Sequence, residues 1–260
     1  MSDSEHSGAS KKIVIRKVDM DAPWRWLIAG WHDFLAAPLF SLVYGSVFAL
    51  VGYGLTWGLL EESLFHFLLP LASGFMLLGP LFAVGLYNAS HRLEQGEPVS
   101  FGHCWLACRR NLSQIALMGL ALMLFMLIWV RVATLIYALF FSERTPGLDG
   151  FLLDTLLSAE SLPFLIVGTL SGAVLAIGVF AVSVISIPML MDRDIDALQA
   201  IITSIQAVQM NFKTMWGWAC LIGLFTGAGL VLFYVGLVIT LPLIGYASWH
   251  AYRDLVEPES

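Results

Sequence analysis

The residues of this chain that could do chemistry include six histidines and three cysteines, and their spacing limits what that chemistry could be. The densest group is His103, Cys104 and Cys108, in which the two thiols lie four residues apart and would share one helix face. A soft metal could use such thiols. However, no second Cys or His pair completes a tetrahedral site, so we predict only a weak thiol pair and no metal.

A second group comprises His91, Trp249 and His250, which stand at the ends of two apolar segments. These side chains could face each other at one surface of the protein. Aromatic and polar side chains also form belts at membrane surfaces without any chemical role, and this is the more common arrangement. Both interpretations stay open.

Arg131 is a third candidate because a cation inside a long apolar segment marks a functional site by default. It is the twentieth residue counted from Leu112, so its side chain can reach outer headgroups or pair with an acidic residue. The acidic candidates are Glu61, Glu62, Asp149 and Asp154. The alternative is a role in substrate binding or gating.

Motifs of common enzymes are missing from the sequence, which has no Walker A loop, GxSxG elbow or HExxH. No apolar segment carries Asp or Glu in its middle, so a carboxylate proton relay is also missing. We therefore predict that the chain is not an enzyme and has no catalytic or cofactor-binding residues.

The elements that must position these residues are membrane helices. Of the 260 residues, 58% are hydrophobic and 12% charged, whereas about a quarter are charged in soluble domains. A helical crossing needs roughly 20 apolar residues, so the sequence predicts about six spans. Their predicted positions are 39–60, 65–88, 112–141, 162–191, 214–233 and 236–252, with a turn between the last two near residues 234–236.

Eleven of the thirteen Lys and Arg residues fall on one side of these spans. Because cytoplasmic loops retain Lys and Arg, both termini are predicted to be cytoplasmic. Residues 1–20 are polar and lack a signal-peptide core, so we expect a disordered tail there. A single membrane domain is predicted over residues 21–256, with a short tail over 257–260.

An internal repeat is indicated by three amphipathic segments, residues 23–38, 100–111 and 196–211, each of which precedes a pair of spans. The third segment places Leu198, Ile202 and Val208 on one face, as in a helix at the bilayer interface, with Asp194 or Asp196 as its cap. The predicted fold is an all-α polytopic bundle in which a cytoplasmic interfacial helix precedes each pair of spans.

Small residues four apart occur on three spans, at Gly54 and Gly58, Gly168 and Gly172, and Gly223 and Gly227. Such faces let helices pack closely. In a six-span protein we expect these glycines to pack helices of the same chain against one another.

Several segments resemble an uncharacterised family of bacterial integral membrane proteins, a domain of unknown function. They are PWRWLIAGWHDF, SLVYGSVFALVG, GLYNASHRLEQGEP, IPMLMDRDIDALQAIITSIQAVQMN and GLVITLPLIGYASWHAYRDLV. The resemblance covers residues 21–256 and implies a location in the bacterial inner membrane. Some relatives carry the label cytochrome c oxidase subunit I.

The histidine positions argue against that label for this chain. A catalytic haem-copper subunit needs at least six histidines that converge on buried metals. Here His6 lies in the tail, while His32 and His103 lie in surface helices. The other three are at span ends, and Tyr246 stands where the family leads us to expect histidine. We predict neither haem nor copper.

Two functions remain. The first is a structural, assembly or interaction partner of another membrane complex, for which the family label suggests a respiratory one. The second is a permease or channel for a small solute, whose polar path would reach Ser73, Tyr53, Thr169 or Ser183. The expected partners are the lipid bilayer and a membrane protein. The basic stretch KKIVIRK is too small to indicate nucleic acid.

Overall fold

A computed structural model describes residues 13–62, 64, 67–102, 111–141 and 162–258 of the chain. The elements it contains are helices, which we number α1 to α10 along these residues. Their bounds are α1 Ala22–Ala36, α2 Pro38–Glu61, α3 Leu68–Phe82, α4 Val84–Glu94, α5 Leu112–Phe140, α6 Leu162–Ser183, α7 Ser186–Asp192, α8 Ala197–Met210, α9 Phe212–Val231 and α10 Leu237–Leu255. The predicted helical membrane bundle is confirmed.

Five helical segments in the described residues are long and apolar enough to cross a membrane. They are Pro38–Glu61, Pro70–Glu94, Leu112–Phe140, Leu162–Asp192 and Phe212–Val231. The predicted sixth span corresponds to α10, which is less apolar because its last two turns carry His250, Arg253 and Asp254. Its 19 residues measure about 28 Å, close to the roughly 30 Å of a hydrocarbon core.

Helix α10 turns back along α2 after a tight turn over residues 232–236. Phe233 and Tyr234 both adopt positive φ there, at 50° and 64°. The Tyr234 hydroxyl lies 2.7 Å from the Thr56 hydroxyl, a hydrogen bond that fixes the turn against α2.

Helix α10 lies at the centre of the bundle, where it contacts α1, α2, α4 and α9. Eleven of its 19 residues are buried. Two glycines bring neighbouring backbones against it. A Cβ on Gly30 of α1 would lie 2.7 Å from the Ala247 nitrogen, and one on Gly45 of α2 would lie 2.7 Å from the Val238 Cα. No side chain fits at either contact unless the helices separate.

The two ends of the described chain pair with each other. The Arg16 amide donates to the Leu255 carbonyl at 2.8 Å, and the Glu257 amide donates to the Val14 carbonyl at 3.1 Å. Both described ends therefore lie at the same end of the bundle. The predicted tail over residues 1–20 is corrected for residues 13–18, because these main-chain hydrogen bonds hold them in place.

The repeat shows in the residues that join each surface helix to the next span. Ala37, Asn111 and Asn211 precede α2, α5 and α9 with φ of −131°, −131° and −116° and ψ of 60°, 42° and 35°. The Asn111 side chain donates to the Ile195 carbonyl, and that of Asn211 donates to the Arg16 carbonyl, both at 3.0 Å. Each asparagine thus ties one repeat to another. Most of the second amphipathic segment, residues 103–110, lies outside the described residues.

The surface helices α1 and α8 turn apolar side chains outward. In α8 the buried face consists of small or hydroxyl side chains such as Ala200, Ser204 and Ala207, whereas Leu198 is 67% exposed. Asp196 caps this helix by accepting a hydrogen bond from the Gln199 amide at 2.8 Å. In α1 the exposed apolar residues are Trp24, Ile28, Trp31 and Leu35. An outward apolar face fits a helix at the bilayer interface.

The glycine contacts yield the first prediction. We expect Gly45→Ala to lower the free energy of unfolding by about 1–3 kcal/mol, because the added methyl group overpacks the contact between α2 and α10. Gly54→Ala on the same helix is the matched control, since a Cβ there has no atom within 4 Å. Denaturant unfolding in detergent micelles measures both, and equal stability of the two variants would contradict the packing.

Candidate functional site

Polar side chains gather where α1, α4, α7 and α10 meet, at the end of the bundle that carries the paired chain ends. Each of these helices contributes residues that lie in its turns nearest that end of the bundle or directly after its last residue. We refer to this group as the inner-end cluster. It comprises Asp33, Ser90, His91, Glu94, Asp192, Arg193, Trp249, His250, Tyr252 and Arg253.

The buried part of the inner-end cluster is built on Arg193, whose side chain is only 5% exposed. Its Nε donates to the Tyr252 hydroxyl at 2.9 Å, and that hydroxyl donates to Asp192 Oδ2 at 2.6 Å. A second guanidinium nitrogen donates to the Glu257 carbonyl. The end of α7 is thereby joined to α10 and to the chain segment after it, and the buried charge is compensated.

His250 forms the second part of the cluster. Its Nε2 lies 2.8 Å from Asp33 Oδ2, and the Ser90 hydroxyl donates to the same oxygen. Its Nδ1 lies 3.9 Å from Glu94, which also pairs with Arg253 at 3.3 Å. These contacts connect α1, α4 and α10, helices that are far apart along the chain.

The predicted group of His91, Trp249 and His250 is brought together only in part. The His91 and Trp249 rings pack edge to face with centroids 5.2 Å apart, whereas His250 turns to Asp33 and Glu94. The indole nitrogen of Trp249 is buried and has no hydrogen-bond partner among the residues that the structure describes. His91 is 3.9 Å from Asp192. The two histidines therefore belong to two different sets of contacts.

The chemistry open to the inner-end cluster is limited because most of its charged groups bind one another. Three carboxylates, Asp33, Glu94 and Asp192, contact the two guanidinium groups of Arg193 and Arg253 or a histidine. Within the described residues no group of His, Cys, Asp and Glu is arranged to hold a metal ion. The arrangement supports a role in fixing four helices together.

The other predicted site residues lie elsewhere. Arg131 is exposed on α5 and forms no ion pair with Glu61 or Glu62, while Asp149 and Asp154 lie outside the described residues. Its neighbours Leu127, Ile128 and Leu135 are exposed as well. The side chain thus leaves the bundle toward lipid, a position from which it can reach the headgroups. Cys104, Cys108 and His103 fall in a segment outside the described residues.

A separate feature is a cavity of about 320 Å³ between α3, α4, α6, α9 and α10, which we term the lateral cleft. It is partly open at the side of the bundle, and apolar side chains form most of its surface. Of the four polar residues expected along a solute path, only Ser183 lines it, and its hydroxyl donates to the Val179 carbonyl of its own helix at 2.7 Å. Tyr53 and Thr169 are exposed outside the cleft.

The glycine pairs differ from the expectation that they pack helices of the same chain against one another. Only Gly172 of the six meets a neighbouring side chain closely, the Trp129 ring, which would lie 3.0 Å from its Cβ. A Cβ on Gly54 or Gly58 would have no atom of the described residues within 4 Å, and the same holds for Gly168, Gly223 and Gly227. The expectation was wrong for these five: Gly54 and Gly58 are exposed, Gly223 lines the lateral cleft, and Gly168 and Gly227 are half-buried without a close neighbour in the described residues.

The segment from α3 to the end of α7 matches a known family. Residues 68–192 fit the model of a family described as predicted integral membrane proteins. This part of the chain is similar to the DUF2189 family. The match covers just under half of the chain, and the DUF2189 description names no activity. The resemblance to an uncharacterised integral membrane protein family is thus confirmed. No curated protein and no solved structure matches the chain.

The DUF2189 match contains only part of the inner-end cluster. Ser90, His91, Glu94 and Asp192 lie within it, whereas Asp33 and all of α10 lie outside. Sequence reasoning missed most of these residues because a single charge at a helix end is ordinary. One available signal was Asp33, the single acidic residue within α1.

The buried ion pairs yield the second prediction. We expect Arg193→Met to lower the free energy of unfolding by about 3–5 kcal/mol, because it leaves the Asp192 carboxylate without its buried partner. Arg25→Met is the control. Arg25 is half exposed, and its hydrogen bond to Asp21, which raises the pKa of the guanidinium, is open to solvent. Thermal unfolding in detergent should separate the two variants, and similar transitions would contradict the assigned role of Arg193.

Proposed function

We propose that the chain is a structural or assembly partner of another protein complex in the bacterial inner membrane. The observation that carries this proposal is the outward face of α2. This helix packs on one side against α10, through Ser41 and Gly45, and against Tyr234 of the preceding turn, through Gly52. Its opposite side is uncovered within the described structure.

The outward face of α2 has the features of a helix-helix contact. Gly54 and Gly58 are exposed and lie one turn apart with open space above them. Val51 and Val47, one and two turns earlier, are 50% and 51% exposed. In lipid, helices associate mainly by close van der Waals packing, and glycines four apart let a second helix approach the backbone. A protein that met only lipid would gain nothing from this pair.

The orientation in the membrane is part of the same proposal. The paired chain ends share one end of the bundle with most of the basic residues, among them Arg92, Arg193 and Arg253. The bias of Lys and Arg toward cytoplasmic segments supports a cytoplasmic position for this end. A respiratory complex as the partner stays a prediction from the sequence resemblance.

A permease or channel is the second candidate and has less support. The lateral cleft lies along helices that are long and apolar enough to cross a membrane, as a transport path requires. Its surface is nearly all apolar, however, and none of the described residues that line it is charged. Arg131, the candidate for substrate binding, is not among the lining residues. A small polar solute would find few hydrogen-bonding groups there.

The third prediction tests the assembly proposal. We expect a distinct membrane protein to co-purify with the chain from native membranes in mild detergent, in near-equal amount. Gly54→Leu and Gly58→Leu should lower its recovery at least tenfold, because a bulky side chain fills the groove on α2. Quantitative mass spectrometry of the purified material measures the recovery.

The control for this test is Gly168→Leu on α6, where a Cβ likewise has no atom within 4 Å. It should retain the partner. A photo-crosslinking residue in place of Val51 should then attach to the same partner. Recovery of the chain without any partner, or as a dimer of itself through α2, would contradict the proposal.

The fourth prediction concerns cofactors. We propose that the chain binds no haem or copper, because His91 and His250 are committed to contacts with Trp249 and Asp33 and His32 is exposed. The purified chain should therefore show no reduced-haem band on addition of dithionite. A band that stays with the chain after its partner has been removed would contradict this.

A further inference from the structure

We propose that the lateral cleft binds one acyl chain of a phospholipid, taken from the leaflet on the side of the paired chain ends. The proposal goes beyond the assembly role, since it concerns a different face of the bundle and a different class of ligand. It rests on the length, width and chemistry of the cleft.

The cleft follows α9 from Phe212 to Thr226. These fourteen steps along a helix correspond to about 21 Å, which is more than half of the roughly 30 Å hydrocarbon core. The cleft begins at the first residue of α9, next to the surface helix α8, and ends past the middle of the membrane. A site of this length is matched to the lipid chains of a single leaflet.

The width of the cleft excludes a helix as its occupant. A volume of 320 Å³ spread over that length gives a mean cross-section of about 15 Å². A helix about 10 Å wide occupies about 80 Å². A single hydrocarbon chain needs only about 16 Å², since carbon atoms pack at about 4 Å. The cleft is therefore wide enough for a hydrocarbon chain and too narrow for a helix.

The walls of the cleft suit hydrocarbon. Phe180, Ile222 and Ile244 are typical of the lining. Three of its hydroxyl groups are already engaged, because Tyr87 bonds to Ser248 and Ser183 bonds within its own helix. Water in the cleft would find few polar partners, whereas a site for ordered water needs two to four of them.

The opening of the cleft is suited to the headgroup of a phospholipid. Phe212 and Trp216 stack there with ring centroids 6.4 Å apart and are 62% and 50% exposed. Aromatic side chains of this kind sit at the level of the headgroups. Lys213, between them along the helix, is exposed and carries a positive charge toward which a lipid phosphate is attracted.

The fifth prediction tests this site with the full chain. Native mass spectrometry after extensive washing in mild detergent should show one phospholipid retained per protein. Gly223→Leu should reduce the retained lipid at least tenfold, because its side chain enters the open space of the cleft without meeting any backbone atom. Gly168→Leu, which changes an equally open position outside the cleft, should retain the lipid.

A second measurement does not depend on lipid retention. With Cys104 and Cys108 replaced by serine, Cys220 is the single thiol, and it is exposed at the cleft. A nitroxide on Cys220 in nanodiscs should collide more often with oxygen than with a water-soluble nickel chelate. Stronger collision with nickel would overturn the proposal and point to an aqueous path. Retention of a free quinone instead of a phospholipid, or equal lipid in Gly223→Leu and wild type, would overturn it as well.

Discussion

Helix α10 can occupy the centre of the bundle because three of its neighbours approach it at glycine. Gly30 of α1 and Gly45 of α2 meet its backbone directly, and Gly245 of α10 receives Leu86 of α4. In a bilayer, apolar side chains alone do not favour one helix neighbour over lipid, so such close contacts must supply specificity. The least apolar of the long helices is thereby enclosed by the others, and the polar residues of its last two turns are placed among partners.

The position of α10 explains the two contrasting regions of the protein. At the inner end, α1, α4 and α7 surround its last turns, and charges from all four helices neutralise each other in the inner-end cluster. Along the membrane, α9 packs against α10, α1 and α8, while the lateral cleft separates it from α6. One region is fixed by hydrogen bonds and ion pairs, and the other leaves room for a small apolar ligand.

The internal repeat contributes a second set of constraints. Asn111 and Asn211 hold the backbone that leads into α8 and α1, so a residue at the start of one span fixes the entry to another repeat. Ala37 has a similar backbone conformation but no side chain that could do the same. Two asparagine hydrogen bonds therefore connect the repeats. The hydrogen bond of Asn211 also holds the segment around Arg16, which pairs with the other end of the described chain.

The sequence by itself determined that the chain is a helical membrane bundle, where its apolar helices lie and which surface helices accompany them. Length, hydropathy and capping residues such as Asp196 are local properties, and they can be counted along the chain. Even the turn before α10 follows from the length of an apolar run that is too long for a single crossing.

Only the tertiary structure decided the rest. Asp33 and His250 meet across 217 positions, and Gly54 faces outward while Gly45 faces α10. These outcomes depend on how each helix is rotated about its axis. A span that is apolar on all sides gives no signal of that rotation, since lipid and protein accept the same side chains.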